Sequence, residues 1–255
     1  MNLLMIGDVV STSGCRTVRR LLPDLKKQYQ TDVVITNGEN SAKGNGITPE
    51  SANYLFQSGV DIITLGNHAL RRKQIYPYLE ETPNIIRPAN FPKNTVGVGV
   101  CHYDLGYTTL AVVNLCGQVY MEPNNSPFEE VDRILQTIST RSILVDFHAE
   151  ATGEKGAFAH YLIGRVSAVV GTHTHVQTAD EQILDQKTGF ISDVGMVGPI
   201  HSVLGVDPAC VIRKTVTHLP TRFEVKENAC LFNAVFLQIN EKTGNCTCIQ
   251  RIKID

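Results

Sequence analysis

Long uniform stretches are missing from this sequence, and each absence closes off a class of protein. No run is apolar over the roughly 20 residues that a membrane helix needs. The amino terminus, "MNLLMIGDVV", has no basic leader and reaches Asp8 too soon to hold a signal-peptide core. Neither sign of charge accumulates: 23 Lys and Arg stand against 25 Asp and Glu, a formal charge of -2. That balance gives no surface for coating DNA, though a small nucleotide stays open as a substrate. The seven cysteines, Cys15, Cys101, Cys116, Cys210, Cys230, Cys246 and Cys248, are odd in number and keep no framework spacing, so reduced thiols are expected. One C-x-C at Cys246 and Cys248, without a second pair, is not a zinc signature. Repeats, low-complexity tracts and linkers are missing too. What remains is a soluble, cytoplasmic protein without membrane or stable DNA partners and with room for a homo-oligomer. At 255 residues and 42% hydrophobic, a single domain spanning 1–255 is expected.

Present instead are short apolar, β-branched runs: "NLLMIGD", "DVVITNGEN", "DIITLGNH", "RSILVDFHAE" and "VSAVVGTHTH". They are continuous rather than alternating, as in strands buried on both faces. Helices are expected over residues 15–29, 48–58, 71–80, 127–139 and 153–163. Two starts are signalled, by Thr48 before Pro49 and by Ser126, Pro127 and Glu129 in capping-box order. The alternation predicts a layered α/β fold. Past residue 180 the pattern changes: "EQILDQKTGFISDVG" breaks it, and "MVGPIHSVLGVDPACVIRK" reads as a loop and a helix near the rim. The final "ACLFNAVFLQINEKTGNCTCIQRIKID" reads as a hairpin turning at residues 242–245.

Each of the five runs ends in side chains that bind metals. Asp8 follows the first, Glu39 and Asn40 the second, Asn67 and His68 the third, His148 the fourth, and His173 and His175 the fifth. In an open α/β sheet, ligands collect in the crevice outside the carboxyl ends of the strands. An extended segment would turn His173 and His175, two apart, to one side. Taken singly, Asp8 fits a helix cap and Asn67 a turn, and a lone H-x-H is ambiguous. Jointly they form a constellation of oxygen and nitrogen donors without thiolate, which favours Mn, Fe or Zn. The set is too large for one ion, and a carboxylate such as Glu39 can bridge two cations about 3.5 to 4 Å apart, an arrangement that hydrolyses phosphate esters.

In this order, the G-D of "IGDVV", "NGENSA", "GNHA", "DFHAEAT" and "GTHTHVQTAD" resemble the calcineurin-like metallophosphoesterases, and more narrowly their YmdB-like branch. The wider superfamily begins Asp-x-His, carries Asp in its second motif and follows Gly-Asn-His with an acid. Val10, Glu39 and Ala69 stand at those places here, the departures that mark the YmdB-like branch, and "SDVGMVGP" and "LPTRFEV" extend the resemblance over essentially the whole chain. The resemblance implies a four-layer α/β/β/α sandwich and two divalent or trivalent ions, Fe or Mn favoured and Zn allowed. It assigns Asp8, Glu39, Asn40 and His175 to one ion, and Glu39, Asn67, His148 and His173 to the other, with His68 as general acid. It implies hydrolysis of 2',3'-cyclic and 3',5'-cyclic nucleotides by in-line attack of a metal-bridging hydroxide. His201 stands where an acid is common in the family, which makes it a candidate substrate contact.

A phosphodiester repels nucleophiles, so two cations would both neutralise it and lower the pKa of a bridging water. The departing ribose oxygen needs a proton, and His68, beside Asn67, is placed to give it. With the 2'-oxygen leaving, a 2',3'-cyclic substrate opens to a 3'-phosphate. Asp146 and Glu150 flank His148 and suit orienting roles better than ligation. His102, His160 and His218 lie off the motifs, "KGNG" at residues 43–46 reads as a rim loop without a Walker pattern, and Arg71 and Arg72 read as a solvated helix start. Two rival functions use the same residues: a phosphomonoesterase or phosphoprotein phosphatase, and a slow-turnover regulatory protein binding a nucleotide or an RNA end.

Overall fold

A computed structural model describes residues 1–225 and 229–255. Its first half runs β1 (Asn2–Ile6), β2 (Asp8–Val9), α1 (Ser11–Gln28), β3 (Val33–Asn37), α2 (Pro49–Gln57), β4 (Ile62–Thr64), α3 (Ile75–Glu81), β5 (Ile85–Ile86), β6 (Val100–Asp104) and β7 (Thr109–Cys116). Then come α4 (Pro127–Leu135), β8 (Ser142–His148), α5 (Thr152–Tyr161), β9 (Ala168–Thr172), β10 (Gln182–Leu184), β11 (Thr188–Ile191), β12 (Met196–Pro199), α6 (Pro208–Thr217), β13 (Cys230–Ile239) and β14 (Cys246–Ile254). Eight strands form one sheet in the order β2-β12-β13-β1-β3-β4-β5, with β14 beside β13, and six form a second in the order β10-β11-β9-β8-β7-β6.

Side-chain alternation sorts the two sheets into four layers. From β1, Leu4 and Ile6 pack with Val18 and Leu22 of α1, while Leu3 and Met5 face the opposite way. Those inner residues meet Leu110, Val112, Leu144 and Val170 of the second sheet. The other face of that sheet, Ala111, Val113, Val145 and Phe147, takes Val131 of α4 and Phe158 of α5. The order is therefore helices, sheet, sheet, helices: the α/β/β/α sandwich. Strands buried on both faces explain why the runs are continuous. Among the described residues no helix is long and apolar enough to cross a membrane.

All five apolar runs form strands. Thr48 caps α2 in a reciprocal capping box with Ser51, and the Ser126 hydroxyl accepts from the Glu129 N–H at the start of α4. The C-terminal hairpin forms as expected, but β13 lies inside its sheet, antiparallel to β1. Three expectations change. First, α1 begins at Ser11, four residues early, because the turn after β2 leads straight into it, and α3 begins four residues late, after turns at 67–74. Second, Met196–Pro199 pairs with β2 and β13 as a strand, leaving only residues 200–207 as loop before α6. Third, β7 is a strand that the apolar runs do not include, though it is almost wholly buried. Its internal Asn114 is satisfied there, accepting from the Leu65 N–H at 3.3 Å and donating to the Asp146 carbonyl at 3.4 Å.

Candidate metal centre

β1, β3 and β4 are parallel neighbours in one sheet, and β8 and β9 in the other, so their carboxyl ends deliver all eight donors to one seam between the sheets. Asp8 is wholly buried and does not cap α1, whose cap position is Val10 with no side-chain bond. Close approach across the seam depends on Gly66: a Cβ there would lie 2.3 Å from the His148 ring. No side chain fits at that position.

The H-x-H segment is not extended, contrary to the expectation from sequence. His173 and His175 have φ of 105° and 65°, left-handed values for side chains that ordinarily avoid them. Such backbone costs about 1 to 3 kcal/mol per residue and persists only where its surroundings hold it. Here Asp193 Oδ2 accepts from the Thr174 N–H at 3.0 Å and from Lys155 Nζ at 2.8 Å, and Lys155 also donates to the Thr172 carbonyl at 2.9 Å. Both members of this ion pair are buried. The twist turns the two imidazoles toward different neighbours.

One neighbourhood holds Glu39, Asn67, His148 and His173. His148 Nε2 lies 3.0 Å from Asn67 Oδ1, 3.1 Å from His173 Nδ1 and 3.2 Å from Glu39 Oε1. The other holds Asp8, Asn40 and His175, with His175 Nε2 3.6 Å from Asp8 Oδ1 and 3.3 Å from Asn40 Nδ2. Glu39 stands between them, its Oε1 also 3.3 Å from Asn40 Nδ2. His68 stands beside both, with Nδ1 3.0 Å from Asn40 Oδ1 and 3.2 Å from Glu39 Oε1. Its backbone N–H donates to Glu39 Oε2 at 2.7 Å.

The protons on the imidazoles show what this arrangement is built for. The Thr172 hydroxyl donates to Asp146 Oδ1 at 2.7 Å, so its oxygen accepts the Nδ1–H of His148 at 2.9 Å, and Nε2 is left as the inner nitrogen of that ring. His173 Nε2–H faces Glu150 Oε2 at 3.0 Å, which turns the Nδ1 lone pair inward. His175 Nδ1–H is taken by the Leu204 carbonyl at 2.9 Å, leaving Nε2 facing Asp8. Three imidazoles thus turn one ring nitrogen outward to an oxygen and the other inward beside two buried carboxylates, one of whose oxygens, Asp8 Oδ1, has no hydrogen-bond partner among the described residues. Ring nitrogens and anions converging at about 3 Å need positive charge among them, a proton or a metal ion. The donor set fits a divalent cation, and orientation of ligand imidazoles by oxygens behind them is the usual support for one. Glu39, His148 and His173 alone bring three ligand atoms within 4.8 Å of one another.

Ionisation tells the same story. Burial disfavours the Glu39 carboxylate, yet the adjacent His148 and His68 hold it well below the usual range. Asp8, also opposed by burial, is lowered by His175. Burial opposes the charge of His148, but Glu39 and Asp8 outweigh it and push the imidazole up to about 9. Burial and the charge of His148 push His173 down to about 4. Two carboxylates draw a proton onto the inner nitrogen of His148 when nothing else supplies the charge; a metal ion and a proton compete for that one place. Asp146, raised to about 6 by burial, acts from behind through Thr172.

The donors open on a cleft of about 530 Å³, lined by Glu39, Asn40, His68, His173 and His175 and also by the apolar Val10, Val176, Leu204, Val206 and Phe223. The "KGNG" segment is a rim loop, as expected, and Arg72 is not merely solvated: it donates to the carbonyls of Lys43, Gly44 and Asn45 and holds that loop. His201 is exposed and does not line this cleft. Thr172, Lys155, Asp193 and the Leu204 carbonyl carry no signal in the sequence, since their roles depend on partners distant along the chain.

The chain matches the family model for YmdB-like protein over residues 4–252. It is 44% identical over 257 residues to a protein of Bacillus subtilis (strain 168) named 2',3'-cyclic-nucleotide 2'-phosphodiesterase, covering 100% of this chain and 97% of that relative. Among solved structures, a hypothetical protein from Thermus thermophilus superposes with a TM-score of 0.94 at 39% identity, covering 100% of this chain and 99% of the other. A novel phosphatase from Mycoplasma pneumoniae superposes with a TM-score of 0.96 at 31% identity, covering 100% and 93%.

Proposed function

The chain belongs to the YmdB-like protein family and is a phosphoesterase, and from that premise we propose that it hydrolyses the 2'-ester of 2',3'-cyclic nucleotides, with 3',5'-cyclic nucleotides as secondary substrates. The observation that carries this reading is the convergence of outward-protonated imidazoles on buried carboxylates beside a cleft large enough for a nucleotide. The 44% identity to a Bacillus subtilis protein named for that reaction supports the choice of ester.

In this reading Asp8, Glu39, Asn40 and His175 would hold one divalent ion and Glu39, Asn67, His148 and His173 the other, with Fe or Mn favoured. Two such ions would offset the phosphodiester charge and make hydroxide available near neutral pH. The residues of the chain do the rest. Glu39, placed between the two groups of donors, fixes their separation. Asn40 needs its carbonyl oxygen on the His175 side, a half-turn of its amide. His68, held through Nδ1 by Glu39, carries the transferable proton on Nε2 and gives it to the departing 2'-oxygen. Water adds to phosphorus, the bond to the 2'-oxygen breaks, and a 3'-phosphate with a free 2'-hydroxyl results.

Assay of Mn-loaded and Fe-loaded protein against 2',3'-cAMP, 3',5'-cAMP and p-nitrophenyl phosphate tests the reading. The expected result is highest kcat/KM on 2',3'-cAMP with the 3'-phosphate as product. Preference for the monoester would overturn it in favour of a phosphomonoesterase, and tight nucleotide binding without turnover would favour a regulatory binding protein.

A further inference from the structure

One wall of the cleft has no part in holding metal ions. Val176, Leu204 and Phe223 line it and are 57, 49 and 43% exposed, high values for apolar side chains gathered in one concave site. Val10 and Val206 line the same cleft. It is built rather than incidental. Leu204 is held in a left-handed conformation, φ 54°, and Gly205, φ 92°, packs so closely on Val10 that a Cβ there would lie 2.8 Å from Cγ1. After α6 the chain reverses at His218, φ 55°, and returns to the cleft, where the Glu224 carbonyl accepts from the Asp207 N–H at 2.8 Å. Lys214 Nζ stands 4.9 Å from the centre of the Phe223 ring, within cation–π distance.

We propose that this wall is the subsite for the base of the nucleotide, so that the enzyme recognises its substrate at both ends: phosphate at the donor cluster, aromatic base against Phe223 and its aliphatic neighbours. The inference rests on the reading of the cleft as a cyclic-nucleotide site. Cyclic nucleotides have this polarity, an anion at one end and at the other a flat ring whose faces are apolar and whose stacking tolerates every base. A simple sugar phosphate offers nothing to fill such a wall. Because the wall is aliphatic and aromatic, it gains with base area, and purines are favoured over pyrimidines. Because the Leu204 carbonyl also takes the proton of His175, the base and the metal-binding imidazole meet the same short loop.

The test compares 2',3'-cAMP with methyl riboside 2,3-cyclic phosphate, the same ester without a base, in the metal-loaded protein. Wild type is expected to favour the nucleotide through KM. Phe223→Ala should reduce that preference roughly ten- to hundredfold, the range for losing one base stack, while Phe223→Trp restores it with metal content and melting temperature as in wild type. Binding of adenosine 3'-monophosphate against ribose 3-phosphate, measured by saturation-transfer NMR, gives a second readout independent of turnover. A protein that turns over neither ester yet prefers the adenosine ligand supports the wall and overturns the phosphodiesterase reading. Equal preference in wild type and Phe223→Ala overturns the wall, and so does a change of oligomeric size in that variant with substrate preference intact, which would make Phe223 a contact between copies of the chain.

Discussion

Asn67 and His148 meet across the two sheets, the amide oxygen of one 3.0 Å from Nε2 of the other. The contact joins the end of β4 to the end of β8, 81 positions apart in the chain, over a glycine that no other residue can replace. Neither sheet holds the site by itself: Asp8, Glu39, Asn40, Asn67 and His68 come from one, and His148, His173 and His175 from the other. Loss of a donor therefore has consequences for the fit of the sheets as well as for chemistry.

Glu39→Gln should abolish turnover of 2',3'-cAMP and lower metal affinity beyond the roughly 10- to 100-fold typical of losing an orienting partner. The side chain is buried between both groups of donors, and its neutral replacement leaves two cations less compensated. Metal content after desalting, with titration calorimetry, measures the effect. Wild-type metal content would remove Glu39 from its bridging position.

His68→Ala should retain the metal ions, because the bond to Glu39 Oε2 comes from the backbone N–H and survives the substitution. Hydrolysis of 2',3'-cAMP should slow by roughly a hundredfold to ten-thousandfold, the range for a lost general acid. Bis(p-nitrophenyl) phosphate, whose leaving group needs little protonation, should suffer far less. Equal losses on both substrates, or loss of metal, would rule out His68 as the proton donor.

Lys155→Met should destabilise the fold by about 3 to 5 kcal/mol, since it strands the Asp193 carboxylate among buried groups. The left-handed turn at His173 and His175 should loosen with it, seen as faster amide exchange at Thr174. Urea denaturation gives the first number. A loss below about 1 kcal/mol, the range of an exposed pair, would show that the pair does not secure the turn.

The thiols should divide by burial. Burial pushes Cys15 up to about 12 and Cys101 and Cys246 up to about 11. At pH 8 these remain protonated and inert to iodoacetamide, while the half-buried Cys210 and Cys248 are labelled first. The sign also predicts alkaline lability: the folded state keeps protons that the unfolded chain releases above about 9, so this stability is complete below that pH and falls as pH rises toward 12. Mass spectrometry after brief labelling reads the first effect, and denaturation against pH the second.

The donors were legible because each comes directly after an apolar run, and parallel strands deliver the residues at their carboxyl ends to one edge. The sandwich was legible only through resemblance: nothing in "TLAVVNLC" shows that its Asn114 bonds to Leu65 in the other sheet. Lys155 looks from its neighbours like a solvated helical lysine, because its partner Asp193 lies 38 residues further on. The left-handed turn at His173 and His175 leaves no mark, as neither residue is glycine. Hidden from the sequence is whatever two distant segments make together.

The hairpin of β13 and β14 bears on how the protein is made. β13 lies against β1 along its length, Ile6 opposite Ala234, and the Gly7 N–H, next to Asp8, donates to the Asn233 carbonyl at 3.1 Å. During synthesis the first metal-type donor to leave the ribosome must therefore wait for residues more than two hundred positions later before β1, the strand that leads to it, is paired on both sides. The nascent chain carries its donors for most of its synthesis without the frame that assembles them, so cation capture belongs to release rather than to elongation. A chain stopped at residue 225 should bind no Mn under conditions that load the full protein; stoichiometric Mn in that fragment would show that the frame closes without the hairpin.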